Sequence, residues 1–166
     1  MCGMEPTQEI SPSEVDALIA HHTSRIGDAL PGASISVSGS TLLGYGGHDI
    51  DLVALVANVA DAATRLRRLY PPLYEDRWRN DWAAFRDPGP PQVDVVVTEP
   101  GTDGDAHHRR SWQLILADPS LRAEYERLKA AGMDAARKAK FFDHVVAMLR
   151  DEPFEPPAVR APSPRL

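Results

Sequence analysis

The chain has 166 residues, of which 43% are hydrophobic and 25% charged, so it is long enough to bury the core of one globular domain. Its net charge of −6 argues against a long nucleic acid as the main partner, because that affinity depends on Lys and Arg side chains that neutralise phosphates. The single cysteine, Cys2, excludes an intrachain disulfide and a cysteine-based metal site.

The domain organisation expected from the sequence is simple. We predict one domain over residues 11–150, a polar lead-in over 1–10 and a proline-rich, extended tail over 151–166. No apolar run approaches the roughly 18 residues of a membrane span and no leader-peptide pattern occurs, so a cytoplasmic protein without a membrane partner is expected. The sequence leaves the oligomeric state open.

Helices and strands alternate along the chain, which indicates an α/β (α+β) protein. Ser11, Asn58 and Asp118 are side chains of the kind that cap helix starts, and Gly132 is a helix stop. In chain order, the predicted elements are a helix over 11–30, strands over 33–37 and 49–56, a helix over 58–70, a hairpin whose second strand covers 92–98, and helices from 105 onward, the last over 133–150.

Asp49 and Asp51 begin the strand over 49–56. Residues two apart on a strand project from the same face, so these carboxylates outline a metal site. The plainer interpretation is that both aspartates only cap a strand end in solvent.

Asp94 lies in the apolar run Gln92–Thr98, where a carboxylate is costly unless something neutralises it. A metal would do so. On an antiparallel neighbour of the strand over 49–56, Asp94 would lie ~5 Å from a residue directly opposite. Three carboxylates suit two Mg²⁺ ions about 4 Å apart, the arrangement that phosphoryl and nucleotidyl transfer use.

The turn at Gly39 and Ser40 opens a glycine-rich loop over 41–48. Backbone N–H groups in such a turn, together with the Ser40 or Thr41 hydroxyl, are suited to hold the phosphates of a nucleotide. We therefore predict a phosphate site next to the aspartates.

A Gly-Ser pair, eight residues and then Asp-x-Asp resembles the signature of the DNA polymerase β-like nucleotidyltransferase superfamily. The later part of the chain resembles the GrpB family within it. The similar segments are Arg109-Arg110-Ser111-Trp112, Leu116-Ala117-Asp118-Pro119, Glu124-Tyr125-Glu126-Arg127-Leu128-Lys129 and Lys138-Ala139-Lys140-Phe141.

The resemblance implies a small mixed sheet with helices packed on it, a helical C-terminal part and a Mg²⁺-dependent nucleotidyltransferase site. It also implies that Lys138, and less directly Arg109 or Arg110, face the triphosphate. The chain departs from the GrpB pattern in having two aspartates, Asp49 and Asp51, where the family usually has one, and Asp94 where it usually has histidines. Both departures bring the sequence closer to the active superfamily pattern.

The expected function is transfer of a nucleoside monophosphate from an NTP onto a small-molecule acceptor, with release of pyrophosphate. Asp49 and Asp51 would hold two Mg²⁺ ions and Asp94 one of them. The alternative is a non-catalytic nucleotide-binding module, or a toxin–antitoxin-type one. Transfer onto tRNA or protein becomes reasonable only if a local basic patch forms. Its residues would be Arg77, Arg79, Arg109 and Arg110.

The remaining polar and aromatic candidates have plainer interpretations. The pairs His21-His22 and His107-His108 lack metal-ligand spacing, so we predict surface residues, and His48 is expected to be an ordinary loop residue. An aromatic group, Trp78, Trp82 and Phe85, is predicted to belong to the core rather than to stack on a base.

Overall fold

The computed structural model describes residues 10–44 and 49–150. The strands are β1 Ser34–Ser38, β2 Asp49–Leu55, β3 Pro72–Leu73, β4 Trp82–Asp87 and β5 Gln92–Thr98. The helices are α1 Pro12–Ala29, α2 Val59–Leu66, α3 Asp103–Asp105, α4 Ser111–Ala117, α5 Pro119–Ala130 and α6 Ala135–Leu149, and a π-helical turn, Ala106–Arg110, joins α3 to α4. The predicted tail over 151–166, nearly all of the lead-in and His48 lie outside the described residues.

The helix starts follow the capping chemistry of the sequence. Ser11 and Glu14 form a reciprocal box, in which the Glu14 carboxylate accepts from the Ser11 N–H at 2.8 Å and the Ser11 hydroxyl accepts from the Glu14 N–H at 3.3 Å. Asn58 caps α2 through a bond of 2.9 Å, and Asp118 caps α5 at 2.8 Å. The predicted starts of these three helices are confirmed, although α2 ends at Leu66, before the predicted Tyr70.

The five strands form one mixed sheet in the order β1-β2-β5-β4-β3, so the predicted α/β fold is confirmed. β5 lies between β2 and β4, parallel to β2 and antiparallel to β4. The expectation that Asp94 lies on an antiparallel neighbour of β2 was therefore wrong. The chain returns from β2 through α2, β3 and β4, and this crossover brings β5 in along the same direction as β2.

One face of the sheet forms the main core against α1 and α2. Alternate residues of the two central strands contribute to it: Ile50, Leu52 and Ala54 from β2, and Val93, Val95 and Val97 from β5. Phe85 of β4 is fully buried in this core and Trp78 packs against it, as predicted. Trp82 is only half-buried and projects to the opposite face of the sheet, so its prediction as a core residue was wrong.

His22 also belongs to this buried face, so its prediction as a surface residue was wrong. It is 4% exposed, and its Nδ1 shares a hydrogen bond of 2.8 Å with the Tyr70 hydroxyl. Burial is the main cause that lowers the pKa of the imidazole. Position 22 continues the apolar stripe of Val15, Leu18 and Ile26, which was the sequence signal for its burial.

A second apolar cluster joins α4, α5 and α6. Its buried aromatic residues are Trp112, Tyr125, Phe141 and Phe142. Leu42 and Leu43, which follow β1 in a 3₁₀ turn over Gly39–Leu43, pack against this cluster and so fix the helices beside the sheet. None of the described helices combines the length and hydropathy needed to cross a bilayer.

Candidate active site

The three predicted aspartates lie together on the sheet face opposite the main core. In the β2–β5 register Asp51 is paired with Asp94, and Asp49 precedes Asp51 by two residues on β2. Residues in this relation project from the same face of a sheet. Asp49 is exposed, whereas Asp51 and Asp94 are half-buried.

Asp51 is the electrostatic centre of this group. Burial, followed by the charges of Asp49 and Asp94, raises the pKa of its carboxyl from 3.8 to about 6. Lys138 and Arg86 oppose this shift. Lys138 of α6 therefore lies within electrostatic reach of Asp51.

Asp94 is neutralised by Arg86, a partner that the sequence analysis missed. The two residues are paired across β4 and β5, and the guanidinium donates to both carboxylate oxygens, with Nε–Oδ1 at 2.7 Å and Nη2–Oδ2 at 2.8 Å. The bond to Asp94 is the largest cause that raises the pKa of Arg86. The hairpin between positions 86 and 94 was the available sequence signal for this pair.

The aspartates provide the right donors for Mg²⁺ because hard cations prefer carboxylate oxygens. However, within residues 10–44 and 49–150 no three His, Cys, Asp or Glu side chains converge closely enough to hold a metal ion. The bidentate bond to Arg86 occupies two of the roughly four lone-pair positions of Asp94. Two positions remain for a further ligand, so the donor set still fits the cation.

Gly39 brings the predicted phosphate turn against Asp51. Its φ is +69°, and a Cβ added there would lie 2.1 Å from Oδ2 of Asp51. In the same turn, the Thr41 hydroxyl donates to the carbonyl oxygen of Asp49 at 3.4 Å, and Ser40 is half-buried. The turn and the aspartates thus form one continuous surface.

The two predicted arginines, Arg109 and Arg110, both lie in the π-helical turn. Arg109 donates to the fully buried carboxylate of Asp105 at 2.5 and 2.8 Å and is itself only 11% exposed. Its guanidinium is therefore committed to a structural pair. Arg110 is half-buried in the same turn.

His108, predicted as a surface residue, is half-buried and connects β1 to β4. Its carbonyl oxygen accepts from the Ser38 hydroxyl, and its Nε2 accepts from Nε1 of Trp82 at 3.2 Å. Ser38 is paired with Asp51 in the β1–β2 register, so the His108 backbone lies beside the carboxylates. Burial first, and then His107, Lys138 and Arg79, lower the pKa of the His108 imidazole to about 4.

No profile of a known protein family matches the sequence, and no curated protein matches it. A solved structure of a cytoplasmic RNA terminal U-transferase is similar at 18% identity and a TM-score of 0.41. The likeness covers 54% of this chain and 29% of that one, so the chain spans less than a third of the transferase.

Proposed function

We propose that the chain is a Mg²⁺-dependent nucleotidyltransferase that moves a nucleoside monophosphate from an NTP onto an acceptor hydroxyl and releases pyrophosphate. The observation that supports it best is the alignment of Asp51 with Asp94 on neighbouring strands, with Asp49 on the same face. The Gly39 turn adds a phosphate-binding element in contact with Asp51.

In this proposal Asp49 and Asp51 would hold two Mg²⁺ ions and Asp94 would ligate one of them. Bound Mg²⁺ would stabilise charge on the transferring phosphate and lower the pKa of the attacking hydroxyl. Asp94 also accepts the proton of that hydroxyl, which requires one of its bonds to Arg86 to lengthen. Burial is the main cause of the raised pKa of Asp51, and a bound cation would offset the second cause, the negative charges of Asp49 and Asp94.

The phosphates of the NTP lie on the 3₁₀ turn. Backbone N–H groups of Gly39 and Ser40 and the Thr41 hydroxyl bind phosphate oxygens, and Lys138 contributes positive charge. Arg110 is the further basic group of the set. Arg109 is not required, because Asp105 already binds its guanidinium.

The finer family assignment is also part of the proposal. We place the chain in the GrpB-like branch of the superfamily, on the strength of the sequence segments around Arg109, Asp118 and Lys138. The domain is proposed to comprise residues 11–150, and the protein to act in the cytoplasm.

The experiment is a pyrophosphate-release assay with each NTP, Mg²⁺ and a panel of acceptors. Asp51→Asn and Asp94→Asn should each reduce turnover at least about 100-fold, since each removes charge that stabilises the transition state. Asp16→Asn is the matched control, because Asp16 is exposed on α1, across the sheet from the site. Full activity in Asp51→Asn would exclude the assignment.

A non-catalytic nucleotide-binding module, including one of toxin–antitoxin type, is the second candidate. The observation in its favour is the Arg86–Asp94 pair, which neutralises the third aspartate without a metal. Such a module would be stabilised by NTP in a thermal-unfolding assay, yet release no pyrophosphate with any acceptor.

A further inference from the structure

A cleft of about 310 Å³ lies on the same sheet face as the aspartates, toward β4. Trp82 and Arg86 are four residues apart on β4, so both project to this face. The polar and aromatic side chains that line the cleft are Arg77, Arg79, Trp82, Asp103, His107 and His108. Gly104 packs closely against Trp82 in the cleft, since a Cβ added at Gly104 would lie 3.0 Å from Cδ1 of Trp82.

Two guanidinium groups, those of Arg77 and Arg79, line the cleft together with one carboxylate, that of Asp103. Arg79 is 57% exposed and pairs with Asp81 at 3.3 Å, a surface contact that solvent weakens. Arg77 lies 5.0 Å from the centre of the Tyr74 ring. Two guanidinium groups beside an indole and an imidazole are suited to a ligand that has both phosphate and a planar ring.

Tyr74 connects the cleft to the aspartates. Its ring contacts Arg77 of the cleft, and it is among the smaller causes, after Asp94, that raise the pKa of Arg86. Its φ of +49° is uncommon for a residue other than glycine, and the side chain is 49% exposed. An exposed aromatic held in a strained backbone is a recurrent feature of ligand sites.

Trp82 of the cleft and the phosphate turn lie on different sides of the aspartates in the strand order, although His108 of the cleft also contacts Ser38 of β1. Gly39 follows β1 at one edge of the sheet, the aspartates lie on the central strands β2 and β5, and the cleft adjoins β4. In an in-line transfer the attacking oxygen and the leaving pyrophosphate lie on opposite sides of the α-phosphorus. With the NTP phosphates on the turn, the acceptor belongs on the β4 side.

We propose that this cleft binds the acceptor and that the acceptor is a nucleoside phosphate, either free or at the end of an RNA strand. Arg77 and Arg79 bind its phosphate, and Trp82 and His108 contact its base. The role as acceptor depends on the proposed function, whereas the binding does not. In the reaction an acceptor hydroxyl oxygen bonds to the α-phosphorus, the bond from that phosphorus to the bridging oxygen breaks, pyrophosphate leaves, and the hydroxyl proton passes to Asp94.

The test is isothermal titration of the full chain with AMP, ribose 5-phosphate and an RNA hexamer of adenosines, in EDTA and without NTP. The double variant Arg77→Gln, Arg79→Gln should bind AMP at least tenfold more weakly than the wild type. Ribose 5-phosphate, which lacks the base, should bind at least tenfold more weakly than AMP. Unchanged AMP binding in the double variant, or equal binding of the two ligands, would overturn the proposal.

Arg65→Gln is the matched control. Arg65 is 52% exposed, is paired with Asp61 at 3.2 Å, and lies on α2 across the sheet from the cleft. Its loss removes one positive charge, half of what the double variant removes, and AMP binding should stay within twofold of the wild type. A general charge effect would weaken binding in this variant by about half as much, on a logarithmic scale, as in the double variant, and would also overturn the proposal.

The hexamer distinguishes the two sources of the nucleotide. Binding of the hexamer at least tenfold tighter than binding of AMP supports a strand end. In that case the slope of log K against the logarithm of the salt concentration should decrease in magnitude by about one to two in the double variant. Affinity equal to that of AMP supports a free nucleotide. Under this proposal Asp51→Asn still binds AMP in the cleft. If Asp51→Asn also kept its transfer activity, that result would refute the proposed function but not the binding of AMP.

Discussion

Gly39 is the residue near the site that tolerates change least. In Gly39→Ala the new Cβ would lie 2.1 Å from Oδ2 of Asp51, so the carboxylate has to move, and the φ of +69° adds strain for any residue with a Cβ. We expect the free energy of unfolding in urea to fall by about 2–4 kcal/mol.

The variant Gly44→Ala separates the effect of backbone strain from the effect of steric overlap with Asp51. Gly44 also has a positive φ, +82°, but no atom of the described residues lies within 4 Å of an added Cβ. This variant should lose only about 1 kcal/mol of stability. Equal losses at the two glycines would show that contact with Asp51 does not restrict position 39.

Asp51 should destabilise the fold at neutral pH when no metal is bound. Its folded pKa of about 6 exceeds the unfolded value, so the stability that it contributes at low pH is lost as the pH rises through about 6. Asp51→Asn should therefore raise the free energy of unfolding at pH 8 by about 1–3 kcal/mol, an advantage that shrinks toward pH 4.

Thermal unfolding of Asp51→Asn and wild type from pH 4 to 8 measures this difference. Added Mg²⁺ should raise the melting temperature of the wild type more at pH 8 than at pH 5, and should have little effect on the variant. A difference between the two proteins that does not vary with pH would contradict the raised pKa of Asp51.

At the scale of elements, the β4–β5 hairpin determines how accessible Asp94 is to a cation. Arg86→Gln removes a bidentate bond from a half-buried carboxylate, so we expect a loss of about 1–3 kcal/mol in stability without Mg²⁺. The same variant should bind Mg²⁺ more tightly, because Asp94 regains its lone pairs. Calorimetric titration of both proteins with Mg²⁺ measures the change.

Arg122→Gln is the control for that experiment, since it removes an exposed guanidinium from a pair with Glu126 on α5. Its affinity for Mg²⁺ should equal that of the wild type. If Arg86→Gln also left the affinity unchanged, Arg86 would not compete with a cation for Asp94.

The elements with local signals could be predicted from the sequence. Ser11 and Asn58 start their helices as expected, because capping depends on residues within three positions. The direction of β5 relative to β2 could not be predicted, because it depends on the whole crossover between them. Asp51 and Asp94 are nevertheless paired, since aligned residues share a face in parallel and antiparallel pairs alike.

The contacts of the site depend on tertiary structure and were harder to anticipate. Lys138 is near Asp51 because α6 packs beside the 3₁₀ turn through the second cluster. Arg86 was overlooked as the partner of Asp94 because the apolar strand favoured a metal as its neutraliser. His108 was taken for a surface residue because nothing in its local sequence indicates Trp82 as a partner.

At the scale of the whole molecule, two groups give opposite pH dependences. The lowered pKa of His108 makes stability fall as the pH drops from about 6.5 toward 4, whereas the raised pKa of Asp51 makes stability rise over much of that range. Their contributions partly cancel in the wild type. Between pH 7 and pH 5, the free energy of unfolding of His108→Gln should therefore increase by about 1–2 kcal/mol relative to that of the wild type.

Thermal unfolding from pH 4.5 to 7.5 tests this cancellation. His144→Gln, which removes an exposed imidazole from α6, should keep the wild-type profile. If the His108→Gln profile coincided with that of the wild type, the His108 imidazole would have the same pKa in the folded and unfolded states.

The second apolar cluster is distinct from the main core: among the described residues, Leu42 and Leu43 pack against the second cluster and neither packs against the main core. Sub-global opening is expected to follow such divisions of packing. Backbone amides of α5 and α6 should then exchange with deuterium at lower opening free energies than those of β2 and β5. When α6 opens in this way, Lys138 would move away from the aspartates while Asp51 and Asp94 stay in register. The positive charge beside the carboxylates would then be lost transiently without unfolding of β2 and β5.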